Sequence, residues 1–215
     1  MLNFFARASV SRLSDPVGAW LLKRGLTPNA VTVVGAVGST ASALWLIPAG
    51  HLFAGAVVMA LFVLFDLIDG SMARAQGGGT PFGAVLDATC DRVTDGALFA
   101  AIAWWAFTAG ERPIAVAALV CLVGAQVISY VKARAEASGL SADGGLAERA
   151  ERCIIALTGV GLHGLGVPYV LPVAMYALVA LVVATVVQRL LSAARSAREL
   201  DPARPAPGTS EEGTR

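Results

Sequence analysis

The stretch Asp66-Leu67-Ile68-Asp69-Gly70-Ser71-Met72-Ala73-Arg74, followed after eight residues by Gly83-Ala84-Val85-Leu86-Asp87-Ala88-Thr89-Cys90-Asp91, places four carboxylates at the ends of two apolar segments. A carboxylate at mid-bilayer depth costs a few kcal/mol on insertion scales, less near the interface, so acids in such segments are functional candidates by default. Asp66 and Asp69 stand at i and i+3, and Asp87 and Asp91 at i and i+4, so each pair shares one helix face. The Gly-rich turn at 77–81 is short, which makes the two helices antiparallel neighbours and brings the pairs together. Four converging carboxylates repel unless cations intervene. Their hard oxygens suit Mg²⁺, Mn²⁺ or Ca²⁺ rather than Zn²⁺. They are numerous enough for two ions about 4 Å apart, an arrangement suited to phosphoryl chemistry. The plainer reading pairs these acids with Arg74 or Arg92, or has them line a cation path. Asp95 extends the face by one turn and reads as a support of the site rather than a ligand. Gly70 and Gly83 serve close helix packing, leave room for a bulky ligand, or do both.

The rest of the chain supplies the setting. Of its 215 residues 56% are hydrophobic and 14% charged, against about 25% charged in ordinary soluble domains. This excludes a water-soluble globule, and the net charge of +1 excludes nucleic-acid binding by bulk basicity. Cys90, Cys121 and Cys153 lie alone in apolar stretches and read as packing residues. Apolar windows of about 20 residues mark spans at 29–48, 51–75, 83–108, 113–136, 149–166 and 168–192. The fold expected is therefore an all-α integral membrane protein with six transmembrane helices. With the amino terminus in the cytoplasm, Arg112 is the one residue of 16 Lys and Arg in an outward loop, as the positive-inside rule demands. Both termini, and the acidic cluster, then face the cytoplasm of a multi-pass cell-membrane protein. Residues 1–26 read as an amphipathic interfacial helix, not a cleaved signal, 27–199 as the six-helix domain, and 200–215 as a disordered tail. His51 and His163 fall in outward loops and are expected at the surface.

The pattern Asp-x2-Asp-Gly-x2-Ala-Arg-x8-Gly-x3-Asp-x3-Asp resembles the signature of the CDP-alcohol phosphotransferases, matched at Asp66, Asp69, Gly70, Ala73, Arg74, Gly83, Asp87 and Asp91. Members transfer a phosphatidyl or similar group from a CDP-linked donor to an alcohol and release CMP. The resemblance implies that Asp66, Asp69, Asp87 and Asp91 hold two Mg²⁺ or Mn²⁺ ions, that Asp91 also takes the proton of the attacking hydroxyl, and that Gly70 and Arg74 contact the CDP moiety. It also implies a homodimer. The chemistry agrees: displacing CMP needs charge neutralisation on phosphoryl oxygens and an activated hydroxyl. No Ser-His-Asp or Cys-His set is present, so direct attack is the simpler route. Thr27-Pro28-Asn29-Ala30-Val31-Thr32 caps the first span, and by the resemblance Pro28, Asn29 and Thr32 also contact the nucleotide. Thr80 stands ready to donate to the cytidine or a phosphate.

A basic set lies downstream: Ser129, Lys132 and Arg134, then Arg149 and Arg152, and later Arg189. These residues satisfy the inside rule and bind headgroups, or else form an anion pocket for an acceptor that carries its own phosphate. The run Ser129-Tyr130-Val131-Lys132-Ala133-Arg134-Ala135-Glu136 is similar to that of the actinobacterial phosphatidylinositol-phosphate synthases within this family. That similarity implies CDP-diacylglycerol and inositol phosphate as substrates, with Ser129, Lys132, Arg152 and Arg189 on the acceptor phosphate; Arg195 is close enough to replace Arg189. A phosphatidylglycerol-phosphate synthase using glycerol 3-phosphate is the nearest competitor. A cation transporter using the acidic cluster is the reading from another class, disfavoured because all four acids lie toward one membrane face.

Overall fold

The computed structural model describes residues 15–200, apart from the side chain of Asp66. Within them the chain is helical: α1 over 15–23, α2 Pro28–Leu46, α3 Leu52–Val63, α4 Phe65–Ala75, α5 Pro81–Thr108, α6 Arg112–Ala137, α7 Arg149–Gly164 and α8 Val170–Leu200. The interfacial helix expected over 1–26 is described over its second part, 15–23; residues 1–14 and the expected tail beyond Leu200 lie outside the described residues.

Among the described residues six helices close a ring, in which α2 packs on α5, α5 on α6, α6 on α8, α8 on α7, α7 on α3, and α3 back on α2. The α4 helix continues α3 past Leu64 and lies against α2. The core inside the ring is built of Leu98, Phe99, Ile102, Cys121, Met175 and Leu178 among others, all essentially inaccessible. Apolar side chains also cover the outside: Val37, Trp45, Trp104, Phe107 and Val123 are more than half exposed. A helix apolar on every side needs an apolar surrounding, the core of a large protein or a membrane. Among the described residues four helical segments are long and apolar enough to cross a membrane: Pro28–Leu46, Leu52–Ala75, Arg112–Ala137 and Val170–Leu200. The third and fifth expected spans are not among them. The α5 helix carries Asp87, Asp91, Arg92 and Asp95, and α7 is 16 residues long.

Close approach is bought by small residues. A Cβ on Gly38 would come within 2.4 Å of the Phe62 ring, and one on Gly35 within 2.8 Å of Phe65 Cβ. The notch at Gly35 and Gly38 thus lets the α3–α4 junction press against α2 and fixes where the carboxylates of α4 stand. Two further expectations are revised. The last helix runs on to Leu200 rather than ending at 192, because its Ala- and Arg-rich continuation favours helix. His163 belongs to the last turn of α7, half-buried with its ring edge-on to Trp105 at 5.3 Å, whereas His51 is exposed as expected.

Candidate active site

Two helix starts frame the site. Thr27 caps α2, its hydroxyl accepting from the Ala30 amide at 3.2 Å with Pro28 in the first turn. Thr80 caps α5 in the same way, accepting from the Gly83 amide at 3.0 Å ahead of Pro81. The chain reaches α5 from α4 through Gly77 and Gly78, whose φ angles of 92° and 128° suit glycine. Both amino termini open on a cavity of about 500 Å³ lined by Thr27, Pro28, Asn29, Thr32, Asp69, Gly70, Thr80, Gly83 and Asp87, with Ala73, Gln76 and Ala84 between them. The positive ends of two helix dipoles therefore face one space, a setting that favours a diphosphate. Gly83 keeps the space open, since a Cβ there would stand 3.1 Å from Thr80 Oγ1 and 3.2 Å from Asn29 Oδ1.

Of the residues the sequence assigned to the donor, Pro28, Asn29, Thr32, Gly70 and Thr80 line this cavity together. Arg74 does not line it; it is exposed, 3.8 Å from Asp15, with its Nη1 3.4 Å from where a Cβ on Gly70 would stand. Asp69 is buried and accepts from the Thr32 hydroxyl, which ties α4 to α2. Asp69 and Asp87 face the cavity from α4 and α5, and Asp66 stands one turn before Asp69 with its side chain outside the described residues. Among the described residues no three of His, Cys, Asp and Glu converge as a metal site. The donor set itself, carboxylate oxygens from two facing helices beside a hydroxyl-lined cavity, fits a hard divalent cation.

Asp91 sits one turn beyond Asp87, with one neighbour that the sequence did not assign to it. The Arg149 guanidinium of α7 lies 2.8 Å from its Oδ1, while Arg92 is at 3.8 Å. Arg149 also reaches Asp95 at 3.5 Å. Asp95 is wholly buried, paired with the equally buried Arg152 at 2.8 Å and approached by Cys153 at 3.5 Å. A sequence signal existed, namely Arg149 and Arg152 at i and i+3 opposite Asp91 and Asp95 at i and i+4.

The basic side chains expected on the acceptor meet at the loop between α6 and α7, and each is bonded to a different part of it. Lys132 stands 3.8 Å from Asp143 and 3.9 Å from Glu136. Arg189 donates to the Gly144 carbonyl at 3.1 Å and to that of Ile128 at 2.9 Å. Arg152 donates to the Ala147 carbonyl at 2.9 Å. The expectation that Arg152 grips a phosphate meets an obstacle here, since its charge already faces Asp95 and 1% of the residue is accessible. Ser129 turns its hydroxyl back to the Ala125 carbonyl at 3.2 Å. The loop is also fastened to α8, by Ser141 to Ser196, Leu146 to Gln188 and Ala147 to Thr185.

The model of the CDP-alcohol phosphatidyltransferases matches residues 25–194. The chain belongs to that family. Among curated members, a phosphatidylinositol phosphate synthase of Corynebacterium glutamicum is 54% identical over 198 residues, covering 91% of this chain and 90% of that one. One from Mycobacterium tuberculosis is 55% identical over 193 residues, covering 88% and 89%. A crystal structure of the M. tuberculosis synthase with CDP-DAG bound superposes with a TM-score of 0.84 at 53% identity, covering 91% of this chain and 99% of that one. A second, in complex with manganese and citrate, gives 0.84 at 52% identity over 92% and 96%. In this phosphatidyltransferase the donor candidates other than Arg74 thus share one cavity, while Lys132, Arg152 and Arg189 share one loop.

Proposed function

We infer that the chain is a membrane phospholipid synthase that transfers the phosphatidyl group of CDP-diacylglycerol to inositol phosphate, giving phosphatidylinositol phosphate and CMP. The observation that carries this reading is the cavity into which two helix amino termini and the facing carboxylates Asp69 and Asp87 open. Identity of more than half with the phosphatidylinositol phosphate synthases, over nine tenths of the chain, supports the choice of acceptor.

Asp66, Asp69, Asp87 and Asp91 are the residues that would hold two divalent ions, Mg²⁺ or Mn²⁺, and the manganese-bound relative supports a divalent metal. Bound there, such ions would supply neutralisation of the charge on the phosphoryl oxygens. The chain's own groups do the remaining work. The capped starts of α2 and α5 receive the diphosphate, Asn29 and Thr80 offer hydrogen bonds to the nucleotide, and Gly70 and Gly83 leave it room. Arg74 stands near enough to the rim to turn toward the donor by leaving Asp15. Asp91 accepts the proton of the acceptor hydroxyl as its oxygen bonds to the phosphatidyl phosphorus and the bond to the CMP oxygen breaks. Ser129, Lys132, Arg152 and Arg189 form the acceptor-phosphate set, with the 139–148 loop yielding its bonds to that phosphate.

The ring supports a six-span topology. The α5 helix is held between α2 and α6, and α7 between α3 and α8, so each runs alongside neighbours apolar enough to cross. The clustering of the basic residues other than Arg112 supports a cytoplasmic face for the site and both termini, and a homodimer in the bilayer completes the proposal.

The test is CMP release by purified protein given CDP-diacylglycerol and Mg²⁺, with inositol phosphate, free inositol and glycerol 3-phosphate offered in parallel and Asp91→Asn as the blank. Turnover with inositol phosphate alone is expected. Turnover with glycerol 3-phosphate in its place overturns the acceptor and keeps the cavity, and a normal rate for Asp91→Asn removes that residue as base.

A further inference from the structure

Arg92 follows Asp91 on α5, and its guanidinium is only loosely held. Its Nη2 stands 3.8 Å from Asp91 Oδ2, beyond hydrogen-bond reach, and its Nε is buried with no hydrogen-bond partner among the described residues. A buried donor without a protein partner is costly, and in a native structure it calls for a functional reason. The side chain can nevertheless be reached, since 27% of it is accessible, where that of Arg152 is 2%. It is not among the residues lining the donor cavity.

The α6 helix locates Arg92. Gln126 donates to the Arg92 carbonyl at 3.1 Å, and two residues further along α6 Arg189 of α8 donates to the Ile128 carbonyl at 2.9 Å. Two residues of helix rise about 3 Å, so Arg92 and Arg189 come in against the same turn of α6, just before Ser129. Arg92 and Arg152 both lie near enough to Arg189 to repel its charge. Asp95 neutralises Arg152 at 2.8 Å, whereas Arg92 has its carboxylate at 3.8 Å. Like charges gathered in this way favour an anion between them. We propose that Arg92 binds the phosphate of the acceptor together with Arg189, where α5 and α8 flank α6. A guanidinium presents planar donors that match phosphate oxygens, in bonds charged on both sides. Arg92 thereby fixes the phosphate one residue along α5 from Asp91, so that phosphate and attacking hydroxyl are registered on one helix. This rests on the reading of a phosphorylated acceptor.

Arg92→Gln removes the charge and keeps a polar side chain, and Arg92→Lys keeps the charge without the Nε donor. In the full-length protein in detergent, Arg92→Gln should raise the KM for inositol phosphate about tenfold or more, with donor KM and kcat nearly unchanged. Inorganic phosphate, added as a competitor of inositol phosphate, should inhibit the variant more weakly by about the same factor. Arg92→Lys should fall between Arg92→Gln and the parent. A lowered kcat with both KM values unchanged would make Arg92 a support of Asp91 and overturn the proposal. Unchanged acceptor KM and unchanged phosphate inhibition would overturn it too. Should Arg92→Gln not fold, Arg92→Lys decides alone, and an acceptor KM equal to the parent's counts against Arg92. The parent protein separates the two readings. If it uses free inositol as readily as inositol phosphate and is indifferent to inorganic phosphate, the phosphorylated acceptor has failed and Arg92 with it. If the parent requires the phosphate and Arg92→Gln matches it, Arg92 alone has failed.

Discussion

Around the cavity between α2, α4 and α5 the polar groups are short and belong to helix starts, whereas around the loop between α6 and α7 they are long cations already engaged. Thr27 and Thr80 with the amides they cap, and Asn29 in the first turn of α2, are placed by backbone, and Gly83 keeps the space before them clear. Lys132, Arg189 and Arg152 instead hold Asp143, Gly144 and Ala147. The first arrangement is ready for a ligand and reorganises little. The second must exchange partners before it can take an anion, and its bonds stabilise the fold meanwhile. A donor site and an acceptor site can thus share one bundle with opposite costs of occupancy.

The strongest test of this contrast is removal of divalent metal. Chelation is expected to lower CMP release by about a thousandfold or more, with recovery on adding Mg²⁺ or Mn²⁺. Appreciable metal-free turnover would break the reading of the carboxylate cavity. Next comes Arg152→Ala. It takes from buried Asp95 its nearer counter-charge and leaves Arg149 at 3.5 Å, which should cost about 3 kcal/mol of stability, visible as a lower unfolding midpoint in detergent and partly relieved by Asp95→Ala in the same chain. A variant as stable as the parent, altered in acceptor KM alone, would show that Arg152 serves the acceptor phosphate without supporting the fold through Asp95. Gly83→Ala probes the other side. Its methyl intrudes on Asn29 and Thr80, and donor KM should rise about tenfold with acceptor KM unchanged. The smallest effect belongs to Asp143→Asn, which removes an exposed competitor of Lys132. Acceptor KM should fall, by no more than about threefold, and a rise would make Asp143 part of the acceptor site.

Much of the donor side was legible in the sequence because its determinants are local. Asp66 and Asp69, and Asp87 and Asp91, share faces by helical periodicity alone. Thr27-Pro28 and Thr80-Pro81 announce helix starts, but the expectation that the helices on either side of the Gly-rich turn are direct neighbours is revised, since α4 packs on α2 and α3 and α5 on α2 and α6, with the cavity between them. The family signature falls on the same residues. The acceptor side was less legible because its contacts join residues 40 to 60 positions apart, as with Arg189 and Gly144 or Arg152 and Asp95. Each residue step turns a helix by about 100°, so spacing shows that Arg149 and Arg152 share a face of α7 but not which of them meets Asp91. That depends on the rotation and depth at which α7 docks in the ring. The notch at Gly35 and Gly38 shows the same division: the small residues are visible in the chain, but only packing reveals that Phe62 and Phe65 fill them. By itself the sequence determined the apolar helices, their caps and the faces on which four carboxylates stand. Only the tertiary structure decided which carboxylate each arginine neutralises, because that choice is made by helix docking, through side chains whose reach is a few ångströms.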